Sequence, residues 1–219
     1  MQKEEIKEYL NRYKAEGKKI FMTSSFQTQS VPLLHIISEI DKTLPIFCLN
    51  TGYLFTETLE FKDELKRRLG VNIIELTPSI PKNLQRNSKG RLFFTSDTDY
   101  CCDINKIQPL EPILKTHDIW ISGVRGDQSS VRKNLQREQE GKHNTLRFHP
   151  MLEWTGKDVY DYIREHDLPK HPLENDGYIS IGCEPCTRKM TLESMTDERN
   201  GRWFGSNKTE CGLHTDLVK

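Results

Sequence analysis

Long apolar runs are missing from this chain of 219 residues, and none approaches the roughly 20 needed to cross a bilayer. A net field is missing too, because 32 Lys plus Arg balance 32 Asp plus Glu. Bulk charge therefore attracts neither nucleic acid nor an anionic membrane, although a local basic cluster can still hold a small anion. Met1 to Glu16 reads as charged and helix-like rather than as an apolar signal segment, which leads to the expectation of a cytoplasmic protein. Internal repeats and low-complexity tracts are also lacking, so the chain is read as one compact unit long enough to bury a sizeable core.

What is present is an alternation of short apolar runs and helical periodicities. Lys19 to Ser24 reads as a strand that opens into the hydroxyl-rich loop Ser24 to Ser30. Val31 onward places Leu33, Leu34, Ile36, Ile37 and Ile40 at helical spacing, with Pro32 in a first turn where its missing N–H costs nothing. Pro45 to Leu49 and Val71 to Leu76 are further strands, separated by a helix carrying Phe55, Leu59, Leu65 and Leu69 and stopped by Gly70. A polar stretch from Pro78 to Tyr100 precedes a short helix with Ile113 and Leu114, then the strand Asp118 to Gly123 and a helix over Lys157 to His166. Parallel strands need crossover helices, so this order predicts an α/β fold, a mostly parallel twisted sheet covered by helices on both faces. Past Pro169 periodicity is lost. Residues 1–168 are therefore expected to form an α/β body, and 169–219 an irregular lid of the same domain, rich in Cys and Arg.

In such a sheet a ligand binds beyond the carboxyl ends of the strands. Ser24, Ser25 and Ser30, then Thr51 and Gly52, then Gly123 to Arg125 would meet there. A hydroxyl loop opening a helix offers O–H groups, backbone N–H groups and the positive end of a helix dipole to phosphate or sulfate. Helix capping is the commoner use of such residues, so the loop alone decides nothing. Arg125 and Arg132, following a strand end, could grip a dianion by bidentate hydrogen bonds or could be solvated surface.

Six cysteines in a reducing compartment suggest ligands, a nucleophile or buried apolar groups rather than disulfides. The Cys101, Cys102 pair and the Cys183-x-x-Cys186 pair make four candidate metal ligands. Adjacent cysteines reach one tetrahedral zinc with difficulty because neighbouring side chains diverge, whereas a cubane cluster offers separate iron corners. Geometry thus favours a cluster and leaves zinc as the alternative. Cys48 lies within an apolar strand and reads as core. Cys211, in a polar tail between Lys208 and His214, is a candidate nucleophile, but Glu210 opposes those cations and the sign of its pKa shift stays open. With the other cysteines assigned, an adduct on Cys211 would need an external thiol to resolve it.

Several ordered motifs resemble the assimilatory sulfonucleotide reductases, the adenylyl-sulfate and phosphoadenylyl-sulfate reductases, from Lys19 to His214. They are Thr23-Ser24-Ser25-Phe26, Thr51-Gly52-Tyr53-Leu54-Phe55-x-Glu57-Thr58, Cys101-Cys102-x-x-x-Lys106, Gly123-x-Arg125-x-x-Gln128-Ser129, Gly182-Cys183-x-Pro185-Cys186-Thr187-Arg188, Gly201-Arg202-Trp203 and Glu210-Cys211-Gly212-Leu213-His214.

The resemblance implies a fold like that of the adenine nucleotide α-hydrolases and one 4Fe-4S cluster on Cys101, Cys102, Cys183 and Cys186. It also implies Cys211 as the nucleophile that takes up the sulfonate group, and thioredoxin or glutaredoxin as reductant. Substrate contacts would come from Ser24, Ser25, Phe26, Ser30, Thr51, Gly52, Lys106, Arg125, Arg132, Arg188, Arg202 and His214. A homo-oligomer is compatible with it. The chain carries Arg125-Gly126 and Asn105-Lys106 where the family usually has Arg-Arg and Arg-Lys. Its loops look closer to the cluster-free phosphoadenylyl-sulfate enzymes, while its four cysteines match the cluster type. Adenylyl sulfate is the expected substrate, because the cluster usually accompanies it; the 3'-phosphorylated form or dual use is the alternative. Two rivals are an ATP pyrophosphatase of the same fold, whose Ser-Gly-Gly-x-Asp-Ser loop is not found here, and an iron-sulfur or zinc sensor.

Overall fold

The structure is a computed structural model that describes residues 1–190, 199, 201–203, 208, 210–215 and 217, without the side chain of His214. Six strands form one sheet: β1 (Ile20–Ser24), β2 (Ile46–Leu49), β3 (Ile73–Leu76), β4 (Ile119–Ser122), β5 (Glu138–Glu140) and β6 (Leu146–Phe148). Their order is β3-β2-β1-β4-β6-β5, parallel throughout except that β5 runs antiparallel to β6. Helices α1 (Lys3–Ala15), α2 (Val31–Ile40), α3 (Thr56–Leu69), α4 (Phe93–Ser96), α5 (Thr98–Cys102), α6 (Gln108–Leu114), α7 (Ser130–Lys133) and α8 (Gly156–Glu165) supply the covering.

The two-residue period of a strand explains the layers. Ile20 and Met22 of β1 enter the larger apolar cluster with Leu33 and Ile37 of α2, Phe61 and Leu65 of α3 and Val159 of α8. Phe21, between them, enters a smaller cluster on the other face with Phe47, Trp120, Leu110 and Leu114. Strands buried on both faces read as continuous apolar runs, which is why β1, β2 and β4 are plain in the sequence.

Local signals set the ends of the helices. Pro32 opens α2, Gly70 adopts the left-handed conformation (φ 65°) that ends α3, and Thr155 and Asp158 form a capping box on α8. The β5–β6 pair carries no such signal. Glu138-Gln139-Glu140 is polar at every position, and it is a strand because β6 provides the ladder.

Strand order reverses about β1, since β2 lies on one side and β4 on the other. The crevice beyond these two strands is the expected ligand position. Among the described residues after Glu165 only 3-10 turns and isolated bridges occur, so that segment is irregular as expected. It is nevertheless anchored by a core, because Leu217 is 1% exposed within the smaller apolar cluster. No helix among the described residues is long and apolar enough to cross a membrane.

Candidate active site

A cleft of about 180 Å³ opens at the carboxyl ends of β1 and β4. Ser24, Ser25 and Ser30 line one wall, and the Ser25 and Ser30 hydroxyls lie 2.9 Å apart. Phe26 does not line it. Its side chain is buried in the main apolar cluster, and its backbone takes φ 54°, a conformation an aromatic residue adopts only under tertiary constraint. The buried ring pins the loop so that Ser25 and Gln27 face the cleft. Gln27 also receives the Ile181 N–H at 2.9 Å, tying the irregular segment to the loop.

Arg125 and Arg132 part company in the structure. Arg125 is 1% exposed and donates to Asp127 and to Gln29 Oε1, each at 2.9 Å, one layer behind the cleft wall. Gln29 lines the cleft, so Arg125 reaches it through that side chain. Arg132 is itself a lining residue. It donates from Nε and Nη2 to Glu210 at 2.8 and 3.1 Å, while Ser129 Oγ and Arg199 Nη2 reach the same carboxylate at 2.8 and 3.3 Å. Burial would raise the Glu210 pKa, but Arg132, Arg199 and Ser129 outweigh it and hold the carboxyl below its ordinary value. Glu210 is thus committed away from Cys211, and the sequence-based expectation that it opposes the thiolate is corrected.

Arg202 lines the cleft beside Arg199, and both guanidinium groups lie over the Trp203 ring, at 4.7 and 5.2 Å. Arg188 is exposed and outside the cleft wall, and its backbone N–H donates to Gly201 at 2.8 Å. Gly52 borders Lys82 rather than the cleft. His214 closes a 3-10 turn from Gly212, and its side chain lies outside the described residues.

Cys211 is 8% exposed at the inner end of the cleft, with Lys106 Nζ 3.6 Å from its sulfur. Its pKa is held well below the ordinary thiol value: a hydrogen bond from the Cys102 thiol comes first, burial opposes it, and the Lys106 ammonium, the Leu213 N–H and Arg202 add to it. Lys106 is raised, since the surrounding Cys211, Cys183 and Cys102 sulfurs outweigh the burial that would lower it. Lys208, the sequence-based candidate for this task, pairs with Asp99 at 2.5 Å and adds a longer-range attraction to the Cys102 and Cys211 sulfurs.

Behind Lys106 lies a second, smaller pocket with apolar walls, and Cys101, Cys102, Cys183 and Cys186 all line it, as do Thr51 and Trp203. Cys101 is pushed up to about 11 by burial and by Cys183 and Cys186. Cys186 is raised by burial and by Cys183. Thr51 Oγ1 lies 3.3 Å from Cys183 Sγ. Trp203 Nε1 is buried with no hydrogen-bond partner among the described residues, an indole donor on a wall of the sulfur pocket. Among the described residues no three His, Cys, Asp or Glu side chains group as a single metal ion requires. Cys48 is buried in β2, where burial pushes its thiol up to about 12.

Gln29, Leu33, Arg199 and Trp203 also line the cleft, beyond the residues that the sequence nominated for substrate. Arg199 was missed in the sequence, where the spacing Arg199-x-x-Arg202 is the signal that could have found it.

A mostly parallel sheet with a hydroxyl loop and an arginine-lined cleft at its switch point defines an α/β protein with an anion-suited crevice. Residues 19–189 match the phosphoadenosine phosphosulfate reductase domain family. An adenosine 5'-phosphosulfate reductase of Bacillus cereus (strain Q1) is 38% identical over 204 residues, 92% of this chain and 86% of that protein. Another, of Bacillus mycoides (strain KBAB4), is 38% identical over 206 residues, covering 93% and 86%. Among solved structures, phosphoadenylyl-sulfate reductase from Candida auris in a phosphate complex superposes with a TM-score of 0.69 at 19% identity, covering 81% of this chain and 87% of that one. That likeness is one of fold. The chain belongs to the phosphoadenosine phosphosulfate reductase domain family.

Proposed function

We propose that this protein reduces adenylyl sulfate to sulfite and AMP with thioredoxin as electron donor, in sulfate assimilation. The observation that carries the reading is Cys211 at the inner end of an anion-suited cleft with Lys106 at 3.6 Å. The relatives named adenosine 5'-phosphosulfate reductase support the choice of nucleotide.

In the first step the Cys211 thiolate attacks the sulfur of the sulfonate. A sulfur–sulfur bond forms, the sulfur–oxygen bond to phosphate breaks, and AMP leaves with the electron pair. Ser25, Ser30 and Arg202, with Arg132 and Arg199, face the space where phosphate charge develops, and Lys106 serves both the thiolate and the sulfonate oxygens. In the second step a thioredoxin thiolate attacks Cys211 Sγ and sulfite leaves with the electron pair. The second thioredoxin thiol then releases Cys211 and the reductant departs as a disulfide. A reducing, cytoplasmic setting is consistent with six cysteines that form no disulfide. Residues 1–168 and 169–219 act as one domain in this reading, because Glu210 and Leu217 dock onto the α/β body.

Cys101, Cys102, Cys183 and Cys186 would hold a 4Fe-4S cluster. The donor set suits it: four sulfurs line one apolar pocket, and the Trp203 N–H, without a partner among the described residues, would be available to it. When bound, the cluster would supply an electrostatic element beside Lys106. A cluster-ligating Cys102 carries no thiol proton, so Lys106 and the Leu213 N–H would then be the groups that sustain the Cys211 thiolate.

Sulfite release with thioredoxin, measured for adenylyl sulfate and its 3'-phosphorylated form side by side, tests the substrate assignment. Preference for adenylyl sulfate is expected, and release from the 3'-phosphorylated form alone would overturn it.

A further inference from the structure

Between α5 and α6 the helix widens into a π turn over Asp103–Ile107, and Asn105 within it is 2% exposed. Its partner is Gln85, 0% exposed, from the stretch that precedes α4. The two side chains exchange hydrogen bonds: Gln85 Nε2 donates to Asn105 Oδ1 at 2.8 Å, and Asn105 Nδ2 donates to Gln85 Oε1 at 2.7 Å. Asn105 Nδ2 also donates to the Cys101 carbonyl at 2.8 Å, and with both N–H groups so engaged it shares one of them with the Cys101 sulfur at 3.6 Å. Gln85 Nε2 donates in addition to the Ile80 carbonyl at 2.8 Å, so both of its N–H groups have acceptors.

This pairing fixes which end of the Asn105 amide faces the sulfur. Turning the amide over would place Nδ2 against Gln85 Nε2 and would set Oδ1 against both the Cys101 carbonyl and its sulfur. Two buried donors would then be left opposed, and Oδ1 would face three acceptors, Gln85 Oε1 among them, at a cost of about 1–3 kcal/mol for each unsatisfied group. As a thiol, Cys101 is a weak acceptor; as an iron-bound thiolate it is an anion that shortens and strengthens the contact.

We propose that Asn105, oriented by Gln85, is a positioning residue for the Cys101 thiolate and holds that corner of the iron-sulfur cluster in place. The inference rests on the cluster reading above and adds to it two residues that the chemistry of Cys211 does not use. Hydrogen bonds to ligating sulfurs set the electronics and the lability of such clusters, and losing such a partner weakens metal binding roughly 10- to 100-fold.

The test uses full-length protein purified anaerobically as wild type, as Asn105→Ala, as Gln85→Ala and as the double substitution Gln85→Leu with Asn105→Leu. The leucine pair removes all the hydrogen bonds while keeping apolar volume, so folding stability should stay near wild type if packing is all that the amides provide. Iron and acid-labile sulfide in the wild type check the cluster reading separately: their absence would sink that reading and leave this one without a basis. Given a loaded wild type, the readouts are the rate of iron loss to a ferrous chelator and the iron–thiolate stretching bands in resonance Raman spectra. The expectation is loss about 10-fold faster in Asn105→Ala, an increase of the same sign in Gln85→Ala, and faster loss with shifted bands in a folded leucine pair. A folded leucine pair that releases iron at the wild-type rate with unshifted bands would overturn the proposal.

Discussion

Arg132 grips Glu210 through two hydrogen bonds, at 2.8 and 3.1 Å, one residue before Cys211. The pair joins the loop after β4 to the tail that carries the candidate nucleophile, and both side chains are buried. Breaking a buried pair by removing one partner costs roughly 3–5 kcal/mol, because the other charge is left uncompensated. Glu210→Ala is therefore expected to undock the tail, to lower turnover by at least about tenfold, and to speed alkylation of Cys211, which is now 8% exposed. Unchanged alkylation with lowered turnover would place the effect elsewhere.

The same pair predicts a pH dependence. Its arginine partners lower the Glu210 pKa in the folded protein, so its stabilising contribution is complete above the ordinary carboxylate pKa of roughly 4.3 and fades as pH falls through the lowered folded value. Hydrogen exchange of the tail amides should show undocking in that acidic window, and Glu210→Gln should remove the dependence. A tail that stays protected through the window would contradict the assignment.

Lys106 is the cation nearest to Cys211 that the structure identifies. Lys106→Met should move the pH profile of Cys211 alkylation upward, since the thiolate loses the ammonium that favours it. It should also reduce kcat/KM by roughly 10²–10³, the scale for removing one donor aimed at developing charge. An unmoved alkylation profile would leave Lys106 a role toward substrate alone.

Gly182 lies against the Arg202 guanidinium, so that a Cβ there would collide with the end of that side chain. Gly182→Ala is expected to swing Arg202 out of the cleft wall and to raise KM for adenylyl sulfate about tenfold with the melting temperature little changed. An equal loss in Arg202→Ala, with no further loss in the double variant, would confirm that the two act as one.

The fold was legible where burial imposes a period. β1, β2 and β4 are apolar on both faces, α2 and α3 carry helical spacing, and Gly70 marks an end by its conformation. The β5–β6 pair was not legible, because three polar residues become a strand only through the ladder that the adjacent β6 provides. In the site, Cys101, Cys102, Cys183 and Cys186 were found by spacing, and the structure brings all four to one pocket. The charge partners were not, because they depend on how the tail folds back. Glu210 turns to Arg132, Lys208 to Asp99, and Lys106, 105 residues away from Cys211 in sequence, takes the place beside the thiol. Arg125 looked like a grip on an anion, and a carboxylate two residues on holds it behind the wall.

The most direct test of the central claim is the intact mass of the protein after mixing with adenylyl sulfate in the absence of thioredoxin. A single sulfonate adduct on Cys211, discharged as sulfite when thioredoxin is added and absent from Cys211→Ser, is the predicted result. Undiminished sulfite release by Cys211→Ser would contradict the account.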